Sequence, residues 1–336
     1  MIRTVQLPGT DIRTTALGFG CANLFRCPSR GDRLRMLSGA FDRGVRHFDT
    51  APMYGLGLSE PELGHFARGR RDEVVIATKF GIEPTMAARA LGRAQAPIRR
   101  LLAAVPALQR SARTNAASPG AGRAGAFLYD APGFTARVAR SSLERSLRDL
   151  GTDHVDLLLL HDPAPGSART DDVCAYLDSA QRSGQIRGWG IAGEREPSLR
   201  VAVDLGENVP VLQLRDDVLS RRSAAAPGER GAIVFGVLSK ALPALLSHVG
   251  SVPARRREWF ERVGTDCGDV DSVVSLLLRE AMAANPSGVV LFTTIRADRL
   301  DRAVDAASAP VDPDDPELAA FRHLIVTELR PALESL

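Results

Sequence analysis

The chain has 336 residues, 44% of them hydrophobic, and a formal net charge of +3 at pH 7; this excludes a disordered chain and leaves enough apolar mass for two medium domains or one barrel. Acids stand beside the bases along the whole length, so the small positive excess makes no dedicated nucleic-acid surface. No run approaches the length of a membrane span, and MIRTVQLPGTDIR lacks the apolar segment of a secretory signal, which predicts a cytoplasmic protein without a membrane partner.

In chain order, VQLPGTDIR reads as a hairpin around a Pro-Gly turn. Eight strand-like apolar runs follow: 15–20, 46–50, 73–80, 154–161, 186–192, 209–214, 232–237 and 288–294. Between them, 134–150, 272–284 and 297–307 place apolar residues three and four apart, as amphipathic helices do. Eight near-continuous apolar strands alternating with helices call for a parallel sheet covered on both faces. The expected fold is therefore α/β, a (β/α)8 TIM barrel with an N-terminal β-hairpin, formed by 1–336 as a single domain.

Residues 82–128, rich in Ala, Arg, Pro and Gly, interrupt the rhythm as an irregular insertion after the third strand. It is either a lid over the pocket or a surface insertion. Its arginines (Arg93, Arg99, Arg100, Arg110, Arg113, Arg123) either attract an anionic substrate or form a solvated face. Residues 308–336 read as a connector and one more helix. Cys21, Cys27, Cys174 and Cys267 form no CxxC pair and have no histidine at a zinc-ligand spacing, so separate thiols and no metal site are expected.

Strand ends of a parallel barrel open on one face, so residues at those ends converge although far apart in sequence. Asp49 ends the second strand, Tyr54 lies in its loop, Lys79 ends the third and His161 the fourth. Each has an ordinary alternative: a capping aspartate, a packed loop tyrosine, a satisfied core histidine. Lys79 is harder to dismiss. Of 43 basic residues only Lys79 and Lys240 are lysines, and an ammonium after VVIAT demands a carboxylate, for which Asp49 is the neighbour. A cation beside a phenol favours tyrosinate and is expected to lower the Tyr54 pKa, which makes the phenol a proton donor to a carbonyl oxygen. None of the four is a strong nucleophile, so proton transfer, with or without hydride transfer, is the expected chemistry.

FDTAPMYGLGLSEPELG, VVIATKFG and VDLLLLHDP resemble the signature segments of the aldo-keto reductase superfamily, and the likeness spans nearly the whole chain. The resemblance implies a catalytic tetrad: Tyr54 as general acid, Lys79 as its modulator, Asp49 as partner of Lys79, and His161 as orienter of the substrate carbonyl. It also implies NADP(H) as cofactor and a small-molecule carbonyl substrate. Gly55 and Gly57 are then loop glycines and not a dinucleotide fingerprint.

By the same resemblance Gln213 meets the nicotinamide amide and Phe235 stacks under the ring. Leu238 and Lys240 stand near the pyrophosphate, while Thr294, Arg296 and Arg299 stand near the 2′-phosphate. The family's Ser-Asn pair at the carboxamide is replaced by Ala192 and Gly193, and a Glu-Asn pair near the adenine by Arg302 and Ala303. The loss at the carboxamide keeps open a cofactor-independent lyase, isomerase or dehydratase; resemblance to the potassium-channel β subunits, which share the fold, keeps open a cofactor-sensing interaction subunit. Oligomeric state is not legible.

Overall fold

The computed structural model describes residues 1–92, 128–167, 170–206, 209–220 and 231–334. The expected insertion therefore lies, from 93 to 127, outside the described residues, as do its six arginines and residues 221–230 of the loop after strand six.

Strands β1 (Thr4–Gln6) and β2 (Arg13–Thr15) pair antiparallel as the expected hairpin. Next come β3 (Leu17–Gly20), β4 (His47–Asp49) and β5 (Val75–Phe80), then a two-residue antiparallel ladder of β6 (Glu83–Pro84) with β7 (Tyr129–Asp130). They are followed by β8 (Val155–His161), β9 (Ile186–Gly193), β10 (Val211–Arg215), β11 (Gly231–Phe235) and β12 (Val289–Phe292). All but the two small ladders close into one parallel barrel, with β12 returning to β3. Each of the eight expected runs is a barrel strand, shifted at its ends by at most three residues.

The helices are α1 (Arg30–Asp42), α2 (Ser59–Ala67), α3 (Ala136–Leu150), α4 (Thr170–Arg182), α5 (Arg195–Asp204), α6 (Ala241–Leu245), α7 (Pro253–Val263), α8 (Val270–Ala284), α9 (Ala297–Ser308), α10 (Pro316–Leu324) and α11 (Arg330–Glu334). Local chemistry starts and stops them. Ser29 and Asp32 bond each other's backbone N–H in a capping box at α1. Thr135 caps α3, and Gly151 in the left-handed region ends it.

Period-two alternation divides the core into an inner and an outer layer. Inward residues Ala77, Leu157, Leu159, Val211, Ile233 and Val289 fill the barrel and meet Val5, Leu7 and Ile12 of the hairpin, which plugs one end. Outward residues such as Phe48, Ile76, Leu158, Leu160, Leu212 and Val290 pack under the helices. A separate cluster gathers around fully buried Trp259, between α6, α7, α8 and α10. Of these helices, α8 and the carboxy-terminal α10 were expected, whereas α6 and α7 were not. In α7 only Trp259 and Val263 are buried, too few to make an apolar period. Asp156, also not anticipated, is buried at the start of β8 between Arg71 and Arg187, each at 2.8 Å, and accepts the Ile76 N–H.

Helices α2 and α3 touch at Gly64, where an added Cβ would come within 2.1 Å of the Leu150 carbonyl oxygen. Gly64→Ala is expected to cost about 1–3 kcal/mol by overpacking, measured as a lower urea midpoint at unchanged slope. A variant as stable as the parent would show that the two helices separate freely.

Candidate active site

Strand β4 ends in His-Phe-Asp. Alternation turns Phe48 outward, where its ring meets Phe66 at 5.0 Å, and points the Asp49 carboxylate into the barrel. In β5 the same alternation turns Thr78 outward to buried Glu60, at 2.7 Å, and Lys79 inward. Asp49 is in register with Ala77, two residues before Lys79, so the long lysine stem lies across the neighbouring strand. Its Nζ donates to both Asp49 oxygens, at 2.8 and 2.7 Å, and to the Thr50 carbonyl at 2.8 Å. Lys79 is 1% exposed.

Tyr54 opens a single helical turn after β4. Gly55, at φ 60°, lies inside that turn in the left-handed region, and a Cβ there would lie 2.3 Å from the Phe25 ring. The glycine thus lets the Tyr54 turn press on Phe25. The Tyr54 ring stands edge-on to His161, centroids 6.0 Å apart, and Lys79 Nζ lies 5.2 Å from its centroid. The structure brings all four expected tetrad residues to one cavity of about 850 Å³, whose lining also includes Gln213, Phe235 and Leu238.

The electrostatics separate the four. Burial opposes a charge on Lys79, but Asp49, with Tyr54, outweighs it and holds the lysine above its ordinary pKa. Burial, reinforced by Lys79, pushes His161 down to about 3, so its imidazole is neutral. For Tyr54 the expected net direction is reversed: burial pushes the phenol up to about 12 against the downward pull of Lys79. Desolvation of a phenolate in the closed site exceeds the attraction of one ammonium that is already shared with a carboxylate.

The remaining expected residues divide into two groups. Gln213 is 2% exposed, and its Oε1 has no hydrogen-bond partner among the described residues. It is in register with Ala192, which is in register with His161, so the three stand abreast on β10, β9 and β8. Phe235 lines the cavity, and its ring carries the Arg215 guanidinium 5.0 Å from its centroid. An aromatic ring and an orphaned amide oxygen on the lining of one cavity fit a planar aromatic amide. Lys240, Thr294, Arg296 and Arg299 do not line the cavity. Arg296 precedes α9 and donates to Asp298 at 2.9 Å, while its backbone N–H goes to the Thr294 hydroxyl at 3.1 Å. Sequence reasoning missed Asp162, Glu194 and Arg215, which also line the cavity. The pair HD in LLLLHDP was visible, but its backbone twist was not.

Among the described residues no group of three or more His, Cys, Asp or Glu side chains is placed to hold a metal ion, and no helix is long and apolar enough to cross a membrane.

The Aldo/keto reductase family model matches residues 16–116 and 128–214. The chain is 34% identical, over 201 residues, to D-threo-aldose 1-dehydrogenase from a Pseudomonas species, covering 56% of this chain and 53% of that one. It is 43% identical over 75 residues to pyridoxal 4-dehydrogenase from Microbacterium luteolum, covering 21% and 22%. The chain thus spans about half the length, or less, of these curated relatives. Among solved structures, the holo form of an aldo-keto reductase from Bacillus halodurans matches with a TM-score of 0.67 at 19% identity, over 96% of both chains. An aldo-keto reductase from Klebsiella pneumoniae in complex with NADPH matches at 0.63 and 19%, over 97% of this chain and 95% of that one. At such identity these two likenesses show the fold.

Buried ionisable groups make stability depend on pH. Burial lowers His47 to about 4 and His161 to about 3, from an ordinary 6.5, so below pH 6.5 the unfolded chain takes up protons that the fold refuses. Burial raises Glu60 to about 7 from 4.5, so between those values the fold holds a proton that the unfolded chain releases. Between pH 4.5 and 6.5 the two histidines outweigh the one glutamate. Stability should rise with pH there by on the order of 1 kcal/mol per unit, and more steeply in Glu60→Gln. Urea midpoints across this range measure it; a flat or falling profile in the parent would contradict the assignment.

Proposed function

The chain belongs to the aldo/keto reductase family, and from that premise we propose that it reduces an aldehyde or ketone with a nicotinamide dinucleotide, using Tyr54 as proton donor. One observation carries the reading: a phenol, a buried ammonium held on a carboxylate and a neutral imidazole share one cavity at the strand ends.

A bound nicotinamide would supply hydride to the carbonyl carbon; the residues of the chain manage the oxygen. His161, neutral, orients and polarises that oxygen without adding a formal charge. Tyr54 keeps its proton at neutral pH, the form a donor needs, and releases it as negative charge grows on the oxygen. Lys79 then stabilises the tyrosinate left behind, in a site where burial strengthens the attraction. Asp49 holds the ammonium charged and in place, which burial alone would oppose. Gln213, Phe235 and Leu238 receive the nicotinamide end. Lys240, Thr294, Arg296 and Arg299 receive the phosphates, with NADP(H) as the favoured form, because the two arginines stand exposed at the amino terminus of α9, where backbone N–H groups and the helix dipole attract anions.

A second reading, proton transfer without hydride, draws on Ala192 and Gly193, which offer a carboxamide no side-chain hydrogen bond. Tyr54→Phe separates the readings from inactivity by misfolding. Carbonyl reduction is expected to fall roughly 10²–10⁴-fold, while NADPH titrated by fluorescence quenching binds within about twofold of the parent. Full activity in the variant, or turnover by protein stripped of nucleotide, would refute the hydride reading with Tyr54 as acid.

A further inference from the structure

We propose that Asp162 is a specificity-determining residue of this same site: its carboxylate and the Gln213 side-chain oxygen together accept the two N–H groups of one primary carboxamide, that of the nicotinamide. The inference rests on the nicotinamide reading above and replaces the missing side chains of Ala192 and Gly193 with a residue from the neighbouring strand.

Three observations point to it. First, Asp162 is held in an unusual conformation. Among the described residues, Leu56 and Asp162 are the non-glycines with positive φ, at 57° and 50°, and both line the cavity. Such backbone costs energy and persists where the surroundings enforce it. Here the Asp162 N–H donates to the Ala192 carbonyl at 2.7 Å, and the Glu194 backbone N–H donates to the Asp162 carboxylate.

Second, this carboxylate occupies the space that a side chain at 193 would take. A Cβ on Gly193 would lie 2.6 Å from Asp162 Oδ1 and 2.9 Å from Ser198 Oγ. The glycine and the aspartate are therefore a matched pair: a residue such as asparagine at 193 would have to displace the acid.

Third, the acceptors are complementary to one donor group. Gln213 Oε1 is buried without a partner, and Asp162 presents a carboxylate to the same cavity. Their strands are separated by β9 alone, about 10 Å between backbones, a gap that the two side chains and one nitrogen between them can bridge. Two acceptor side chains on the lining of one cavity suit a nitrogen with two hydrogens, which a carboxamide has and an ester, acid or ketone lacks.

Isothermal titration of the parent and Asp162→Ala with three probes tests this. The probes are NADPH, its 3-acetylpyridine analogue, in which a methyl group replaces the amide nitrogen, and 2′-phospho-ADP-ribose, which has no nicotinamide at all. The substitution is expected to weaken NADPH roughly tenfold, to leave 2′-phospho-ADP-ribose unchanged, and to shrink the parent's preference for NADPH over the acetylpyridine analogue to less than threefold. Unchanged 2′-phospho-ADP-ribose binding also certifies a folded site. If NADPH binds the variant as tightly as the parent, or if all three probes weaken equally, the inference is overturned while the nicotinamide reading stands. If the parent binds none of them, that reading falls and this one with it.

Discussion

The bond between Lys79 and Asp49 is the constraint on which the site depends. An ammonium at 1% exposure inside a barrel is tolerated only when its charge is answered, and here a bidentate carboxylate and the Thr50 carbonyl answer it. Removing either partner would leave the other charged and dry, at a cost of several kcal/mol. The pair therefore fixes the mouth of β4 against that of β5. It also places a localised positive charge under Tyr54, and arginine, with its wide planar fork, would spread that charge over a larger volume. In a chain whose cations are almost all arginine, the compact ion stands where a point charge is needed.

Around that pair the barrel acts as a device for assembling distant residues. Asp49, Lys79 and His161 come from β4, β5 and β8, and Gln213 from β10 on the far side of β9. Parallel register sets their heights: Lys79 pairs with Leu159, His161 with Ala192, and Ala192 with Gln213. The loops then supply what strands cannot, a phenol on a single turn after β4 and a carboxylate on the twisted step after β8. Lysine is charged, histidine neutral and tyrosine protonated within one cavity, because each is desolvated but only the lysine has an opposite charge in contact. Such a separation of protonation states among neighbours is the pattern of an acid-base site.

The arginines proposed to receive the phosphates follow different physics. Arg296 and Arg299 stand exposed at the start of α9, and Arg296 is already shared with Asp298. Exposed ion pairs are weak, so this pair holds Arg296 only loosely. The acid-base centre, by contrast, is built before any ligand arrives.

Much of this was legible in the residues alone. The eight strands were visible because strands buried on both faces are nearly continuous apolar runs, as in LLLL at 157–160. Asp49, Lys79 and His161 were visible because they are polar residues at the ends of apolar strands, and Tyr54 because it follows one of those ends in the connecting loop. Helix α7 was not legible, because its charged surface conceals two buried residues. Asp156 was not, because a buried acid between two arginines looks in sequence like any exposed one. The net rise of the Tyr54 pKa was also out of reach, since it depends on how completely the fold removes water from the phenol. What the sequence determined by itself was which side chains alternate inward and which strand ends carry them. Only the tertiary structure decided how dry each group is and how adjacent strands fill one another's gaps, as Asp162 does over Gly193, because desolvation and steric exclusion belong to the space between segments and not to any one of them.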